Sequence, residues 1–273
     1  MKSEFPFYKL QGTGNDFILI DNRLNDFTGV EENIFRNLCN RRFGIGADGL
    51  MLISFKEPSF FSLEYFNSDG RPGEMCGNGA RCAVYFMHLL HSAYKKFGFE
   101  ISQKYYRGEI TGKNQVKIIW SFGPELRTID ESELNIPAEF DSALLVNSGV
   151  PHFILDLKDE LDSFDVKRWG NYFRNHEFFA PKGTNVNFLK FLGNKVYIRT
   201  FERGIEGETL ACGTGAVAAA IAGKYWNKIN FPVEVVARGG ILTIGIDEQE
   251  ETLWMEGPVR KVFTGVLNLK DYE

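Results

Sequence analysis

Apolar and polar residues alternate along much of the chain, in short runs separated by turns rich in glycine, asparagine and proline. Alternation with a period of two is typical of half-buried β-strands. In the first half it predicts strands over residues 5–10, 17–21, 50–54, 60–66, 98–103, 105–111 and 115–120. In the second half it predicts strands over residues 144–147, 153–157, 186–192 and 195–201, others starting at Val233, Gly240 and Thr252, and a last one over 259–269.

Four other stretches are predicted to be helices. They cover residues 31–43, 80–95, 166–174 and 213–226. The first shows the spacing of an amphipathic helix, with apolar residues three and four positions apart. The chain is therefore predicted to be β-rich with a few helices, of the mixed α/β (α+β) class.

One short pattern occurs twice. Cys76 and Cys212 each begin a C-G-x-G-A sequence, and the two cysteines lie 136 positions apart (212 minus 76) in a chain of 273 residues. The order of strands, a turn, a cysteine-led helix and further strands also repeats around them. We therefore expect a duplicated domain, with one thiol in each copy. The predicted domains are residues 1–122 and 123–261, with 123–142 as the linker and the tail, 262–273, pairing back onto the first domain.

Composition narrows the class of protein. With 44% hydrophobic and 25% charged residues the chain is ordinary globular material, and its 25 phenylalanines are expected to fill cores. A net charge of −5 does not suggest a nucleic-acid partner. The longest apolar stretches, such as residues 216–222, are far too short to span a membrane, and no apolar signal region begins the chain. A cytoplasmic protein is expected.

The four cysteines do not form a metal or disulfide pattern. The sequence has no C-x-x-C pair, and the four histidines show no ligand spacing. Structural disulfides are improbable in a reducing compartment. Cys39 is interpreted as a small buried residue, and Cys82 as a packed residue on a helix. No metal is expected.

The two repeated cysteines are predicted to be chemical. A residue just before a helix faces unpaired backbone N–H groups and the positive end of the helix dipole, which can lower a cysteine pKa from about 8.5 to roughly 3.5–7.5. The glycines that follow let backbone N–H groups approach an anion. The alternative is a tight strand-to-helix turn with a merely packed cysteine, and the repeat weighs against it.

Several reactions use thiols. A cysteine hydrolase needs a histidine base, for which His152 is the plausible residue, but this leaves the second cysteine unexplained. A dithiol redox enzyme usually carries C-x-x-C. Two thiols fit epimerisation best: one, as thiolate, removes the α-proton of an amino acid, and the other, as thiol, protonates the opposite face. Helix N-termini that hold the substrate carboxylate would stabilise the carbanion. No Schiff-base lysine motif for pyridoxal phosphate is recognised.

These motifs together resemble those of the diaminopimelate epimerase family. The resemblance runs from residue 7 to about residue 260, and its most specific parts are residues 7–17, 42–49, 66–70, 75–82, 201–204 and 211–216. It implies two similar domains, each a β-barrel-like sheet around a central helix, with the active site between them. It also implies interconversion of L,L- and meso-diaminopimelate in lysine and cell-wall synthesis, without a cofactor or metal, by a homodimer.

The resemblance further implies which residues act. Cys76 and Cys212 would be the two acid/bases. The substrate-binding residues would be Gly77, Asn78, Gly213 and Thr214 at the reacting carboxylate, and Asn15, Asn67, Asn185, Glu202 and Arg203 at the amino and other carboxyl groups. An arginine can grip a carboxylate with two hydrogen bonds, and a glutamate can accept from an ammonium.

Other interpretations of these residues stay open on the sequence alone. Asn15 and Asn67 lie in turn-like sequences where asparagine is common for backbone reasons. Glu202 and Arg203 could be a solvated surface pair. His152 is either a member of the site or a hydrogen-bonded structural histidine.

Val150 departs from the family pattern, because many members carry asparagine there, in contact with the distal end of the substrate. Valine cannot replace that hydrogen bond, which is worth about 1.5–3 kcal/mol to a charged group. This keeps open a cofactor-independent racemase of another amino acid. A non-catalytic binder of amino acids or small anions on the same scaffold is a further alternative.

Overall fold

The computed structural model describes residues 4–24, 26–27, 29–73, 75–120, 125–129 and 134–272. The chain divides into two compact units: unit 1 is Met1–Ser121 with Glu256–Glu273, and unit 2 is Phe122–Met255. The domain boundary predicted at 122–123 lies outside the described residues, as does part of the predicted linker. Among the helices described, none has the length and apolar character needed to cross a membrane.

Unit 1 is a chain of paired strands with two helices. Its helices are α1 (Glu32–Cys39) and α2 (Gly77–Leu90). Its strands are β1 (Glu4–Gly12), β2 (Asn15–Asp21), β3 (Gly49–Glu57), β4 (Phe60–Asn67), β5 (Lys96–Ile101), β6 (Lys104–Gly112) and β7 (Gln115–Trp120), joined near the C-terminus by β17 (Arg260–Asn268) and a short 3-10 helix, Leu269–Tyr272. β17 pairs antiparallel with β1, for example Phe7 opposite Gly265.

Unit 2 has the same kinds of element. Its helices are α3 (Val166–Arg174), α4 (Gly213–Tyr225) and a 3-10 turn, Glu177–Phe179. Its strands are β8 (Glu125–Arg127), β9 (Phe140–Asn147), β10 (Pro151–Leu157), β11 (Asn185–Leu192), β12 (Lys195–Glu202), β13 (Gly207–Thr209), β14 (Val233–Ala237) and β15 (Gly240–Asp247). A further strand, β16 (Thr252–Pro258), crosses the boundary between the two units.

The order of pairing is the same in both units. In unit 1, β1–β2 is antiparallel, β2–β3 parallel, β3–β4 antiparallel, β4–β5 parallel and β5–β6 antiparallel. In unit 2, β9–β10, β10–β11, β11–β12, β12–β14 and β14–β15 follow the same sequence of orientations. In each unit the first parallel step spans a short helix, and the second spans the cysteine-led helix. The predicted α/β fold with two similar halves is confirmed.

α2 and α4 are the central helices of their units. α2 packs against β1, β2, β3, β6 and β7, and α4 packs against β9, β10, β11, β12, β14 and β15. Alanines and other small residues fill most of α4, and residues 213–223 are all buried. A helix that is buried on every side needs no polar face, so α4 lacks the amphipathic spacing of a surface helix.

Phenylalanine fills the rest of each core. In unit 2 the ring of Phe140 packs on those of Phe173 and Phe188, and Phe153 packs on Phe173. In unit 1, Phe5, Phe7 and Phe35 belong to the buried cluster between α1 and the sheet. The structure places much of the chain's high phenylalanine content in these two cores, as the composition suggested.

Two predicted helices have wrong ends. The helix predicted over 31–43 ends at Cys39, because the side-chain oxygen of Asn40 accepts from the backbone N–H groups of Arg42 and Phe43 at 2.9 and 3.0 Å. The helix predicted over 80–95 spans Gly77–Leu90 instead. Its first turn contains Gly77 and Gly79, which precede the predicted start. The short strands β8 and β13 were not predicted.

Candidate active site

The first thiol lies at the N-terminus of α2. Cys76 is the N-cap, with an extended backbone (φ −113°, ψ 111°), and its Sγ accepts a hydrogen bond from the Gly79 N–H at 3.4 Å. The first bond of the helix runs from the Ala80 N–H to the Cys76 carbonyl at 2.8 Å. The N–H groups of Gly77 and Asn78 therefore precede the first internal bond of the helix, in the position where an anion can bind.

The second thiol repeats this geometry on α4. Cys212 is the N-cap (φ −119°, ψ 113°), its Sγ accepts from the Gly215 N–H at 3.4 Å, and the Ala216 N–H donates to its carbonyl at 2.9 Å. The N–H groups of Gly213 and Thr214 take the place of those of Gly77 and Asn78. Each thiol thus caps a helix with its sulfur, and the positive end of the helix stabilises negative charge on that sulfur.

Both repeats need the second glycine because of close packing. A Cβ at Gly79 would overlap Cε of Met51, which comes from β3. A Cβ at Gly215 would lie 2.7 Å from Oδ1 of Asn187 and 3.3 Å from Sγ of Cys212. A side chain at either position would displace the group beside the thiol.

Asn15 faces the first thiol. Its Nδ2 donates to Oδ2 of Asp48 at 2.6 Å, which fixes the orientation of the amide because an ionised carboxylate only accepts. Its Oδ1 therefore points the other way, where it accepts from Cys76 Sγ at 3.7 Å and from Nδ2 of Asn78 at 3.4 Å. Asn15 is held as an acceptor beside the thiol.

The carboxylate that orients Asn15 belongs to a charged cluster. Arg41 bridges Asp48 and Asp16 at 2.7 and 2.6 Å, and the buried Lys9 pairs with Asp16 at 2.8 Å. Burial alone would raise the pKa of Asp16, but the hydrogen bonds from Arg41 and Lys9 outweigh it and lower that pKa to about 2. Asp16 stays ionised at every ordinary pH.

A fully buried arginine lies behind the first thiol. Arg81, one turn along α2, donates through Nη2 to Oδ1 of Asn78 at 2.9 Å and to Oγ1 of Thr13 at 3.1 Å. Burial lowers the pKa of Arg81 to about 10, so it remains a cation at neutral pH, and it interacts electrostatically with Cys76 and Cys82. This cation favours negative charge on the nearby thiol.

The second thiol is linked through a threonine hydroxyl to a neutral histidine. Thr214 Oγ1 is 3.4 Å from Cys212 Sγ and 3.0 Å from Nε2 of His152. The other ring nitrogen of His152 is 3.0 Å from Nδ2 of Asn187. Burial, and next the charge of Arg203, lower the pKa of His152 to about 3, so its ring is neutral. Ser148 donates from Oγ to the Thr214 carbonyl at 2.8 Å and holds the same turn from its other side.

The remaining residues implied by the resemblance occupy varied positions. Asn185 is buried at the start of β11, and its Oδ1 accepts from the Arg203 N–H at 2.8 Å, which holds the turn after Glu202 against this strand. Glu202 and Arg203 are half-buried. Asn67 is exposed, and its backbone pairs with Arg71 and Gly70 in a turn.

The other cysteines are unlike the two thiols of the repeat. Cys39 and Cys82 are buried, and burial raises the pKa of Cys39 to about 12 and that of Cys82 still further above its usual value. Both therefore stay protonated, as expected for packed residues. Among the described residues, no group of three or more histidine, cysteine, aspartate or glutamate side chains is placed to hold a metal ion.

Sequence reasoning missed four polar residues around the thiols: Thr13, Arg81, Ser148 and Asn187. Asn187 had a usable signal, because it lies two residues after Asn185, and residues two apart on a strand share a face. Arg81 follows the first C-G-x-G-A directly, where the second copy has Val217. The signal for Arg81 was a charged residue among the small and apolar residues of a predicted helix.

The chain matches known proteins over nearly its whole length. The family model described as "Diaminopimelate epimerase" matches residues 7–118 and 144–262. The diaminopimelate epimerase of Chlorobaculum tepidum is 40% identical over 265 residues, which are 95% of this chain and 100% of the relative. That of Aquifex aeolicus is 41% identical over 276 residues, with 96% and 97% of the two chains covered.

A solved structure supports the fold. A predicted epimerase from Pseudomonas aeruginosa superposes with a TM-score of 0.71, at 14% identity, over 96% of this chain and 99% of its own. At that identity the likeness shows the fold alone. The family model and the curated relatives confirm the resemblance that the repeated motifs indicated, and the chain belongs to the diaminopimelate epimerase family.

Proposed function

We propose that this protein interconverts L,L- and meso-diaminopimelate by a two-base mechanism, in the synthesis of lysine and cell-wall precursors. One observation carries the proposal: two cysteines cap two central helices with the same geometry, each with its sulfur 3.4 Å from a glycine N–H. Packed cysteines such as Cys39 and Cys82 have no need of such a position. We also propose that units 1 and 2 are the two epimerase domains, and that the enzyme works in the cytoplasm as a homodimer.

The reaction needs one of the two cysteines as a thiol and the other as a thiolate. The thiolate removes the α-proton of the substrate, and the electron pair of that C–H bond moves into the adjacent carboxylate. The thiol of the other cysteine then delivers its proton to the opposite face of the carbon. After one turnover the configuration is inverted, and the two thiols have exchanged protonation states. No oxidant or reductant is required.

The N-termini of α2 and α4 supply electrostatic stabilisation of the carbanion. As the α-proton leaves, negative charge grows on the substrate carboxylate, and N–H groups aimed at it bind the transition state more strongly than the ground state. Gly77 with Asn78, and Gly213 with Thr214, present such N–H groups ahead of the first internal bond of each helix. We assign these four residues to the reacting carboxylate.

We assign the recognition of the remaining charged groups to Asn15, Asn67, Asn185, Glu202 and Arg203. Asn15 is preoriented by Asp48, and Asn185 holds the backbone of Arg203. Val150 is buried, with 9% of its surface exposed, and its side chain offers no hydrogen bond, whereas the resemblance implies asparagine at this position in many family members. Selectivity for the distal group then falls on Glu202 and Arg203.

Isotope exchange tests this function. The protein is incubated with L,L-diaminopimelate in deuterated water, and we expect the meso isomer with deuterium at one α-carbon. Cys76→Ala and Cys212→Ala are each expected to abolish epimerisation. Cys82→Ala is the matched control, since Cys82 lies on the same helix as Cys76 but is packed in the core.

A panel of other amino acids, including proline and histidine, runs beside this assay. Faster exchange with one of these than with diaminopimelate would assign the protein to another racemase activity on the same scaffold. Absence of exchange with every substrate, or full activity in Cys76→Ala, would reject the proposed chemistry altogether.

A further inference from the structure

Asn187 lies at the end of a hydrogen-bonded chain that reaches the second thiol. It is fully buried on β11, opposite Thr200 of β12, and makes no predicted contact with substrate. From it the chain runs through His152 and Thr214 to Cys212, with steps of 3.0, 3.0 and 3.4 Å. The direction of each hydrogen bond follows from the orientation of the Asn187 amide.

That orientation is determined by two neighbours. The Phe153 carbonyl lies 3.4 Å from one end of the amide, and because a carbonyl only accepts, this end must be the Nδ2 donor. The other end, Oδ1, accepts from the Thr200 hydroxyl at 2.9 Å. A flipped amide would set two carbonyl oxygens against each other.

The histidine tautomer follows from the amide. Because Nδ2 of Asn187 donates to Nδ1 of His152, that nitrogen carries no proton. Burial keeps the ring neutral by lowering its pKa to about 3, so the single ring proton lies on Nε2. Nε2–H then donates to the Thr214 hydroxyl oxygen at 3.0 Å.

Thr214 completes the chain. Its oxygen is occupied as the acceptor for His152, so its own proton is available to the sulfur of Cys212 at 3.4 Å. The Gly215 N–H reaches the same sulfur. A thiolate at Cys212 therefore receives two donors, one from the helix backbone and one from a hydroxyl.

We propose that Asn187 is a positioning residue for Cys212: it holds His152 in the Nε2–H tautomer, which directs the Thr214 hydroxyl proton to the thiolate. His152 acts here as a neutral hydrogen-bond donor and not as the base that takes the thiol proton. The kinetic part of this proposal rests on the proposed epimerase function. The tautomer of His152 and the ionisation of Cys212 do not depend on that function.

The first test reads the tautomer directly. The chain has four histidines, so a protein labelled with ¹⁵N-histidine gives a spectrum of four rings in which an Nδ1–H and an Nε2–H tautomer are distinguished by their nitrogen shifts. We expect His152 to be Nε2–H and neutral from pH 5 to 9 in the wild type. A proton on Nδ1, or a ring that titrates near pH 6.5, would overturn the proposal.

Asn187→Asp changes the tautomer at nearly constant shape. The new carboxylate only accepts, so it draws the single ring proton from Nε2 to Nδ1, and Nε2 then accepts from the Thr214 hydroxyl. The Thr214 hydroxyl is then no longer directed to Cys212. In protein labelled with [¹³Cβ]cysteine, we expect the pKa of Cys212 to rise by about one to two units, and that of Cys76 to stay unchanged.

Thr214→Val tests the last step alone. It keeps the shape of the side chain and removes the hydroxyl, so we expect the same rise in the Cys212 pKa with the His152 tautomer unaltered. This variant decides the question if Asn187→Asp fails to fold. An unchanged Cys212 titration in a folded Thr214→Val protein would contradict the proposal.

Thr200→Val is the matched control, because Thr200 is equally buried and bonds the same amide. It removes a buried hydrogen bond without releasing Nδ2 from the Phe153 carbonyl. We expect lower stability with an unchanged tautomer and an unchanged Cys212 titration. If Thr200→Val moves the Cys212 titration as far as Asn187→Asp does, Asn187 has only a structural role.

With diaminopimelate as substrate, Asn187→Asp is expected to lower kcat about tenfold or more, one factor of ten for each unit of thiol pKa, with KM changed little. A wild-type protein that shows the tautomer but exchanges no α-proton would remove the proposed function and leave the role of Asn187 standing. An active protein in which His152 carries its proton on Nδ1 would support the proposed function and overturn the role of Asn187.

Discussion

The first turns of α2 and α4 share a backbone and differ in the side chains around the sulfur. In both, the thiol caps the helix and a glycine N–H reaches it at 3.4 Å. Behind Cys76 lies a buried cation, Arg81, whereas the same position on α4 is Val217, and Cys212 is linked through Thr214 to a neutral histidine. The repeated part places a backbone N–H and the positive end of a helix at each sulfur, which stabilises a thiolate.

The part that differs gives each sulfur its own set of polar neighbours. Unit 1 uses charged groups around its thiol: Arg81, and the cluster of Lys9, Asp16, Arg41 and Asp48 behind Asn15. Unit 2 uses hydroxyls, an amide and an uncharged ring. The two copies share the backbone geometry of the helix cap and differ in the charges around the sulfur.

The largest expected difference comes from alanine at the two glycines. In Gly215→Ala the new Cβ contacts Asn187 and the sulfur itself, so we expect about a hundredfold loss of exchange activity from displacement of the thiol. In Gly79→Ala the overlap is with the flexible end of Met51, which Met51→Leu removes at small cost.

Exchange rates of both alanine variants, with and without Met51→Leu, therefore measure how differently the two turns are packed. We expect Met51→Leu to restore most of the activity of Gly79→Ala and none of that of Gly215→Ala. Failure to rescue Gly79→Ala would mean that the glycine serves the backbone and not the packing.

The next effect concerns charge. Arg81→Met keeps the length of the side chain and removes the buried cation, so we expect the pKa of Cys76 to rise by about one unit or more, and that of Cys212 to stay constant. Titration of [¹³Cβ]cysteine-labelled protein measures both in one sample. Arg23→Met, which removes an exposed cation of the same unit, is the control. Equal shifts at both thiols would show that the two sites do not differ in this way.

The smallest effect is on acid stability. The pKa of Asp16 is about 2 in the folded protein, against 3.8 for a carboxyl group without partners. Its contribution to the stability of the fold is therefore complete above pH 3.8 and is lost as the pH falls through 2. We expect Asp16→Asn to lose on the order of 2 kcal/mol at neutral pH and to show a flatter dependence between pH 4 and 2.

Hydrogen exchange followed by mass spectrometry localises this effect. Added exchange in Asp16→Asn is expected in β1 and β2 and not in β11, because the charged cluster belongs to unit 1. Equal loss of protection in β11 would contradict a local effect of Asp16 on unit 1.

Much of the fold was predictable because local patterning and the native structure agree. The strand Gln115–Trp120 and the helix Val166–Arg174 have the predicted bounds, and the repeat indicated the common order of elements. Failures occurred where a side chain competed with the backbone. Asn40 ends α1 by accepting hydrogen bonds from two backbone N–H groups, and the sulfur of Cys76 caps α2 so that this helix begins at Gly77, before its predicted start at Ala80.

The site was predictable at the thiols and much less so behind them. The cysteines stand in a short contiguous motif, which a single sequence displays. His152, Asn187 and Thr214 come from three separate elements, and only the parallel register of β10 on β11 brings the first two together. No local pattern encodes that register, so His152 could be named but its neutral, donating role could not be derived.

The pairing of β17 with β1 joins two strands that lie far apart along the chain. Tyr8 of β1 is opposite Thr264 of β17, 256 positions later (264 minus 8). During synthesis unit 1 therefore cannot be completed until β17 has left the ribosome, whereas unit 2, a continuous segment that precedes β17, can fold earlier. Until then β1 lacks its β17 partner, and removal of residues 260–268 would leave that edge of β1 open to other chains.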